Sequence, residues 1–493
     1  MMRKALLLFT AVALGGCSLA PAYERPATPV PPSWPVGDAY LRQDEAALPT
    51  VTYRDIFRDQ RLQVILGQAL ANNRDLRIAA ANIAAARGQY RIQRADLFPN
   101  VGGGAGVGIT DRGSSNAVAP GVQARGGTQE NYSVDVGATA FEIDLFGRIR
   151  SLSRSALDEY FATEAAARAT RLSLVGDIAN AWLTYASDRS LLDLAQITAK
   201  NAADSVRLTR LRLEGGVAPR TDLRQAEQTL ATAEGDLAAA KTALAQDVNL
   251  LQLLVGAPVD PALLPTSLDE AAPTLGELPA GLASTVLLRR PDVVQAEYSL
   301  RAANARIGAA RAAFFPRISL TGLAGLASNA LSNLFTGAAF NWSASADASV
   351  PIFDGGANRG NLLQVRAQRD VALATYERTV QTAFREVSDA LAQRGTIGEQ
   401  EAAQRRFVAA AQDTYNLTSQ RYRGGIDTFL TTLDAQRSLY GAQRSLIATR
   451  LTRAQNLVEL YRTLGGDAQL ESTPQGPTPL SPDPAGIPQP RTR

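Results

Sequence analysis

Two stretches of this chain alternate apolar and polar residues with a period of two. In the first, Tyr132, Val134, Val136, Ala138 and Ala140 fall on one face and Ser133, Asp135, Gly137 and Thr139 on the other. In the second, Phe340, Trp342, Ala344, Ala346, Ala348 and Val350 oppose Asn341, Ser343, Ser345, Asp347 and Ser349. Each follows another short extended segment. Alternation over about ten residues, with small side chains on the apolar face, predicts a membrane-spanning β-strand with a lipid face and a wet face. A hairpin on a soluble domain would have shorter strands and a bulkier inward face. The rest of the chain reads as helix. No proline interrupts Arg148 to Glu214 or Ala357 to Arg423, enough at 1.5 Å per residue for rods of roughly 100 Å. Each rod ends at a Gly-Gly pair, Gly215-Gly216 or Gly424-Gly425, and turns back through a return helix over 219–255 or 428–464. A further helix opens each half, at about 57–97 and 282–315, and stops at Leu97-Phe98-Pro99 or Phe314-Phe315-Pro316, where proline cannot continue it. Apolar stripes such as Leu192, Leu194, Ala195 and Ala199 predict coiled-coil-like pairs. Polar residues on more than one face suit a wall wetted on both sides better than a solid bundle.

The two halves are a tandem duplication. An offset of 217 residues aligns Ala79 with Ala296, Arg94 with Arg311, Phe98 with Phe315 and Pro99 with Pro316; an offset of 209 aligns Gly215-Gly216 with Gly424-Gly425, Leu230 with Leu439 and Gly256 with Gly465. The expected organisation is a first repeat over 56–260, a linker over 261–280 and a second repeat over 281–466. Four strands per chain cannot close a barrel in lipid, which takes about eight or more. Closure therefore needs several chains: a dimer gives eight strands, whose interior fills with side chains, whereas a trimer gives twelve. The loops Asp111 to Glu130 and Ser328 to Ala339 are polar or glycine-rich and would face outward.

The N-terminus adds an address. Arg3 and Lys4 precede an apolar run, Ala5 to Leu14, too short to span a bilayer, and Leu14-Gly15-Gly16-Cys17 closes it. This resembles a bacterial lipobox, which implies a signal peptide over 1–16, lipidation (palmitate) of Cys17 and, with Ser18 beside it, an outer-membrane destination. Residues 17–55 read as a proline-rich tether and 467–493 as a disordered proline-rich tail. Among 493 residues there are 50 basic and 47 acidic side chains, no histidine and one cysteine. A net charge of +3 gives no basic field, so nucleic acid is not an expected partner. Without histidine, Ser-His-Asp and Cys-His nucleophile systems and His-ligated zinc are ruled out. Asp354-Gly355-Gly356 lacks the Lys-Ser/Thr of a phosphate loop and reads as a strand-to-helix turn. Asp467, and Asp222 with Glu227, read as solvated acids at helix ends. No enzyme, cofactor or metal site is expected.

The lipobox and duplication, together with Asn73-Arg74-Asp75-Leu76-Arg77, Phe141 to Arg148, Pro351-Ile352-Phe353-Asp354-Gly355-Gly356, Arg421-Tyr422-Arg423-Gly424-Gly425 and Leu433-Asp434-Ala435-Gln436, resemble the TolC-like outer membrane factors, in particular their lipidated, OprM-type branch. The resemblance implies a mixed, mainly α fold: a homotrimer whose twelve-stranded outer-membrane β-barrel joins a long periplasmic α-helical barrel. The implied function is the exit duct of a tripartite efflux system, conferring antibiotic resistance, with a periplasmic adaptor (membrane fusion) protein, an inner-membrane RND-type pump and outer-membrane lipid as partners. Gly215, Gly216, Gly424 and Gly425 would form the tips that the adaptor grips. Leu430 and Asp434, one turn apart on a helix, would project into the periplasmic mouth as a gate, with Gln225 standing at the copy-one equivalent of Asp434. Arg421, Tyr422 and Arg423, with Arg437 nearby, are candidates for a gate lock through acids on neighbouring helices. The alternatives are a non-conducting scaffold lipoprotein and a duct for a secreted polypeptide or metal.

Overall fold

The computed structural model describes residues 18–37, 39–40, 52–112, 127–276 and 284–480. The signal peptide and Cys17, much of the expected tether, the loop interior 113–126, the end of the linker and the tail beyond 480 lie outside the described residues. After the tether come α1 (Tyr53–Ile56), α2 (Gln60–Asn72), α3 (Arg74–Ala95), β1 (Val101–Arg112), β2 (Gly127–Ile143), the rod α4 (Arg148–Glu214) and its return helix α5 (Arg220–Val255). Short helical turns including α6 (Leu268–Ala271) lead to α7 (Pro291–Ala312), β3 (Arg317–Ser328), β4 (Phe340–Ser349), the rod α8 (Ala357–Arg423), its return helix α9 (Phe429–Thr463) and a hairpin of β5 (Leu470–Thr473) and β6 (Gly476–Pro479). Among the described residues no helix is long and apolar enough to cross a membrane.

Both rods span 67 residues and have the bounds of the proline-free stretches. The opening helices are not continuous, as 57–97 and 282–315 would have had it. Asn73 has an extended backbone between α2 and α3; its side-chain oxygen accepts the Leu76 N–H at 3.0 Å and its amide donates to the Leu254 carbonyl at 2.7 Å. One asparagine thus caps the restarting helix and ties it to α5. In the second half a 3-10 stretch, Ser284–Arg289, precedes α7, whose first residue, Pro291, has the fixed φ a helix start favours and lacks only an N–H that would find no helical partner.

The chain divides into two compact units that cut across the duplication. One contains Ala84–Phe161 and Tyr298–Ala374 with the chain up to Arg25. Its centre is an antiparallel sheet in the order β1-β2-β3-β4, so β1 and β4 each pair on one side only. The register makes the sheet two-faced. Val101, Ala105 and Val107 of β1 pair with Ala138, Val134 and Tyr132; Val134, Val136 and Phe141 pair with Leu326, Ala324 and Leu320; and these meet Phe340, Trp342 and Ala346 of β4. The opposite face carries Gly102, Gly104, Gly106, Asp135, Ser133, Ser343, Ser345 and Asp347. One detail of the expected alternation fails. A bulge between Ala138 and Phe141 inserts one extra residue, with Ala140 at φ +53° and its N–H donated to Thr321 Oγ1 at 3.1 Å. Phe141, not Ala140, therefore continues the Ala138 face.

The other unit holds Pro26–Ile83, Ala162–Glu297 and the chain from Thr375 onward. Its core gathers Leu62, Ile65 and Leu66 of α2, Val175, Ile178 and Trp182 of α4, Leu251 and Val255 of α5, and Val458 and Tyr461 of α9. The linker turns join it through Leu264, Leu268 and Leu275, and the Leu263 carbonyl accepts the Trp182 indole N–H at 3.2 Å.

The tether keeps its expected lack of regular structure but is packed down, and two further expectations, on the tail and on Asp467, need correction. The described part of the tether has no helix or strand before Tyr53, yet it is seated: Asn304 donates to the Pro21 carbonyl at 2.9 Å, Ser284 to that of Pro31 at 2.8 Å, and Trp34 stacks on Phe384 at 5.0 Å. At its end, Tyr53 and Ile56 of α1 are core residues. The tail is ordered as far as 480, because β5 and β6 pair and the Leu480 N–H closes on the Gln469 carbonyl. Asp467 is not a solvated acid. It is 3% exposed and accepts both guanidinium amino groups of buried Arg171, at 2.9 and 3.1 Å, with the Tyr461 hydroxyl at 2.9 Å. Burying a carboxylate is tolerable only with such a partner.

Candidate functional site

The rods end in two copies of one turn. Gly215 and Gly424 donate to the Leu211 and Gln420 carbonyls; Gly216 and Gly425 donate to Leu213 and Tyr422; Val217 and Ile426 reach back to Arg212 and Arg421 at 2.9 Å. This pair of reversed bonds satisfies helix-end carbonyls and needs a left-handed residue. Gly216 and Gly425 supply it at φ +73° and +74°, and nothing lies within 4 Å of where a Cβ would stand on either. Glycine is thus required for backbone angle and not for room. Each turn exposes an apolar residue, Val217 or Ile426.

Beneath the turns the two hairpins are packed together. Tyr422, Phe429 and Leu433 cluster with Val206, Leu223 and Ala226, and Arg212 lies over the Tyr422 ring at 4.6 Å while donating to the Tyr422 carbonyl at 3.2 Å. Of the expected lock residues, Arg421 is engaged within its own tip: it forks onto Asp427 at 2.7 and 2.9 Å, which holds that carboxyl below its ordinary range. Arg423 is exposed and makes no ion pair among the described residues. Tyr422 is buried, and its hydroxyl has no hydrogen-bond partner among the described residues.

Leu430 and Asp434 occupy the first turns of α9, where the Thr428 hydroxyl caps the helix by accepting the Thr431 N–H. Both are exposed, whereas Phe429, Thr432 and Leu433 on the same turns face the packed side. The helix therefore presents a leucine and an acid one turn apart on its unpacked face. Gln225, the counterpart of Asp434, instead lines a cavity of about 250 Å³ between α5 and α9, together with Arg437, Asp236 and Tyr440. There the Tyr440 hydroxyl donates to Asp236 at 3.0 Å. This tie between return helices, like the Arg212–Tyr422 contact, went unforeseen because no local pattern pairs residues about 200 positions apart.

A four-stranded sheet with two open edges and two chemically opposite faces, in a chain of paired helical rods, defines a β-barrel and α-barrel channel subunit. The profile of the Outer membrane efflux protein family matches residues 65–257 and 282–466. Two Pseudomonas putida proteins, the antibiotic efflux pump outer membrane protein ArpC and the toluene efflux pump outer membrane protein TtgC, are each 46% identical over 471 residues, covering 94% of this chain and 96% of theirs. The crystal structure of the open state of the Neisseria gonorrhoeae MtrE outer membrane channel superposes with a TM-score of 0.78 at 34% identity, covering 91% of this chain and 98% of that one. The chain belongs to the outer membrane efflux protein family. It is a TolC-like outer-membrane efflux channel, and its role is transport, not catalysis.

Proposed function

We propose that three copies of this chain close a twelve-stranded barrel and form the exit duct through which antibiotics and small apolar toxicants such as toluene leave the periplasm. The observation that carries this reading is the two-faced sheet with unpaired edges: an apolar band suits lipid, a glycine- and serine-rich face suits a water-filled lumen, and open edges are not tolerated in hydrocarbon unless another chain pairs with them. The substrate class follows the names of ArpC and TtgC. Cys17 carries acyl chains that anchor the tether to the outer membrane. The exposed Gly215-Gly216 and Gly424-Gly425 tips meet a periplasmic adaptor that links the duct to an inner-membrane RND-type pump. Leu430 and Asp434 of three chains ring the periplasmic mouth. Of the expected lock groups, the exposed Arg423 remains able to bond a neighbouring chain, while Arg421 stiffens its own tip through Asp427. Deletion of the gene should lower the minimal inhibitory concentrations of several unrelated antibiotics and of toluene, and a plasmid copy should restore them. Unchanged susceptibility in the deletion strain, with the pump expressed, would reject the proposal.

A further inference from the structure

At the foot of the sheet, where β2 ends and β3 begins, Phe146 stacks on Phe315 with ring centroids 4.7 Å apart and planes 22° from parallel. Phe146 lies between β2 and α4, and Phe315 between α7 and β3, so the pair closes the bottom of the β2–β3 seam. Each ring has a counterpart in the other half of the duplication. Phe98 precedes β1 as Phe315 precedes β3, and the 217-residue offset aligns Phe98-Pro99 with Phe315-Pro316. Phe353 lies between β4 and the rod α8 as Phe146 lies between β2 and the rod α4. Within one chain, however, β1 and β4 are opposite edges of the sheet, and this second pair of rings stands bare. Phe98 is 63% exposed, Phe353 91% and Ile352 beside it 96%. The exposure is built in. Asp354 accepts the Gly356 and Asn358 N–H groups at 2.8 and 2.9 Å, and Gly355 and Gly356 take φ of +61° and +91°. The turn is thus fixed by its own hydrogen bonds and holds Phe353 in the open. Large apolar side chains clustered and held bare in this way mark a surface that something covers.

We propose that Phe353 of one copy stacks on Phe98 of a second copy, as Phe146 stacks on Phe315 within the chain, and so latches the foot of each seam between chains. The strand directions bring these residues together. Ser349 pairs with Arg317, so β4 ends where β3 starts. Val101 pairs with Ala138 and Arg112 with Gly127, so β1 starts where β2 ends, at that same end of the sheet. Pairing of the β4 edge with the β1 edge of a second copy is therefore antiparallel. It sets the residues just after Ser349 beside those just before Val101, the arrangement that the β2–β3 seam already has. A lipid surface is the competing cover, but it would leave both sheet edges unpaired and gives no reason for the edge positions to repeat the two phenylalanines of the inner seam. The latch rests on the multi-chain barrel proposed above and adds the side chains that fasten it.

Crosslinking of the full-length protein in outer-membrane preparations tests the latch. Phe98→Cys combined with Phe353→Cys, treated with a short bismaleimide, should give covalently linked dimers and trimers on denaturing gels, and neither cysteine alone should do so. Phe146→Cys with Phe315→Cys should link within one chain and run as a monomer. Light scattering of the untreated wild type in mild detergent reports the assembly separately. Trimers whose double-cysteine variant stays unlinked would overturn the latch and leave the assembly standing, whereas monomeric wild type would overturn both. Phe98→Ala and Phe353→Ala should each speed dissociation of the trimer in dodecyl sulfate roughly twofold to tenfold, the range for one aromatic pair. The double variant should dissociate no faster than either single one, because both remove the same contact. Effects that multiply would mean that each ring packs on something else, lipid included, and would overturn the stack.

Discussion

Replacing Gly425 in a graded series separates what the tip's backbone needs from what its surface does. At φ +74° with no atom within 4 Å of a new Cβ, the penalty for a side chain is conformational and not steric. It amounts to about 1–2 kcal/mol for alanine in the left-handed region, less for asparagine and more for β-branched valine. Gly424 is the internal control: its φ lies outside that region, so Gly424→Ala should be neutral or stabilising by up to about 1 kcal/mol. Native-state hydrogen exchange of the Gly425 and Ile426 amides, which bond to the Tyr422 and Arg421 carbonyls, reads this local opening. A penalty of 1–2 kcal/mol corresponds to exchange faster by roughly fivefold to thirtyfold in Gly425→Ala. Gly425→Asn keeps the turn but places a polar side chain on the exposed tip, so exchange should barely change while efflux falls. Equal exchange in Gly424→Ala and Gly425→Val would refute the backbone argument. Full efflux in the double variant Gly216→Asp with Gly425→Asp, at normal trimer yield, would mean that the tips dock nothing.

Three further outcomes are expected. Asp467→Ala leaves Arg171 charged and buried, so it should destabilise the helical unit by about 3–5 kcal/mol, read as a lower melting point and protease cleavage near β5; a loss below about 1 kcal/mol would contradict the buried pair. Asp247 is raised from its ordinary 3.8 to about 7 by burial and by neighbouring Asp188, so the folded state binds more protons than the unfolded one between those values. Stability should then fall as pH rises from about 4 to 7, and Asp247→Asn should flatten that slope in melts across the window; an unchanged slope would place the titration elsewhere. Cys17→Ser should lose metabolic palmitate labelling yet still crosslink as trimers, since strands hold more of the membrane contact than acyl chains do; monomers in mild detergent would contradict the assembly.

The features legible in the sequence are those whose cause is local. The rods announce themselves by the absence of proline and by Gly-Gly at their ends, and β4 by its strict alternation. Leu430 and Asp434 fall on one exposed face because their spacing is one helical turn. What stayed hidden depends on distant partners or on a single residue's conformation. Asn73 is unremarkable in composition, but its amide reaches Leu254, 181 residues away, and splits the first helix. Ala140 continues the alternation on paper, and only the pairing with β3 reveals the bulge. Asp467 at a helix end reads as solvated until Arg171, 296 residues earlier, closes over it. The proline-rich stretch after Ser472 hid a hairpin whose turn rests on Gly476, at φ +129°. Arg421 reads as a lock onto a neighbour, and its brace to the Asp427 carboxylate six residues on, inside its own tip, has no signal in the spacing.

A gated pore built by this chain would have its constriction at Leu430 and Asp434. Single-channel recording of the purified protein in planar bilayers tests it most directly, comparing wild type with Leu430→Ala and Asp434→Ala. Leu430 is about half exposed in the single chain, so its truncation should leave folding intact. The expected result is a small, cation-preferring conductance for wild type, a clearly larger one for Leu430→Ala and a weakened cation preference for Asp434→Ala, because an aspartate ring concentrates cations at the mouth. Absence of channel activity, or conductance and selectivity identical in all three proteins, would contradict it.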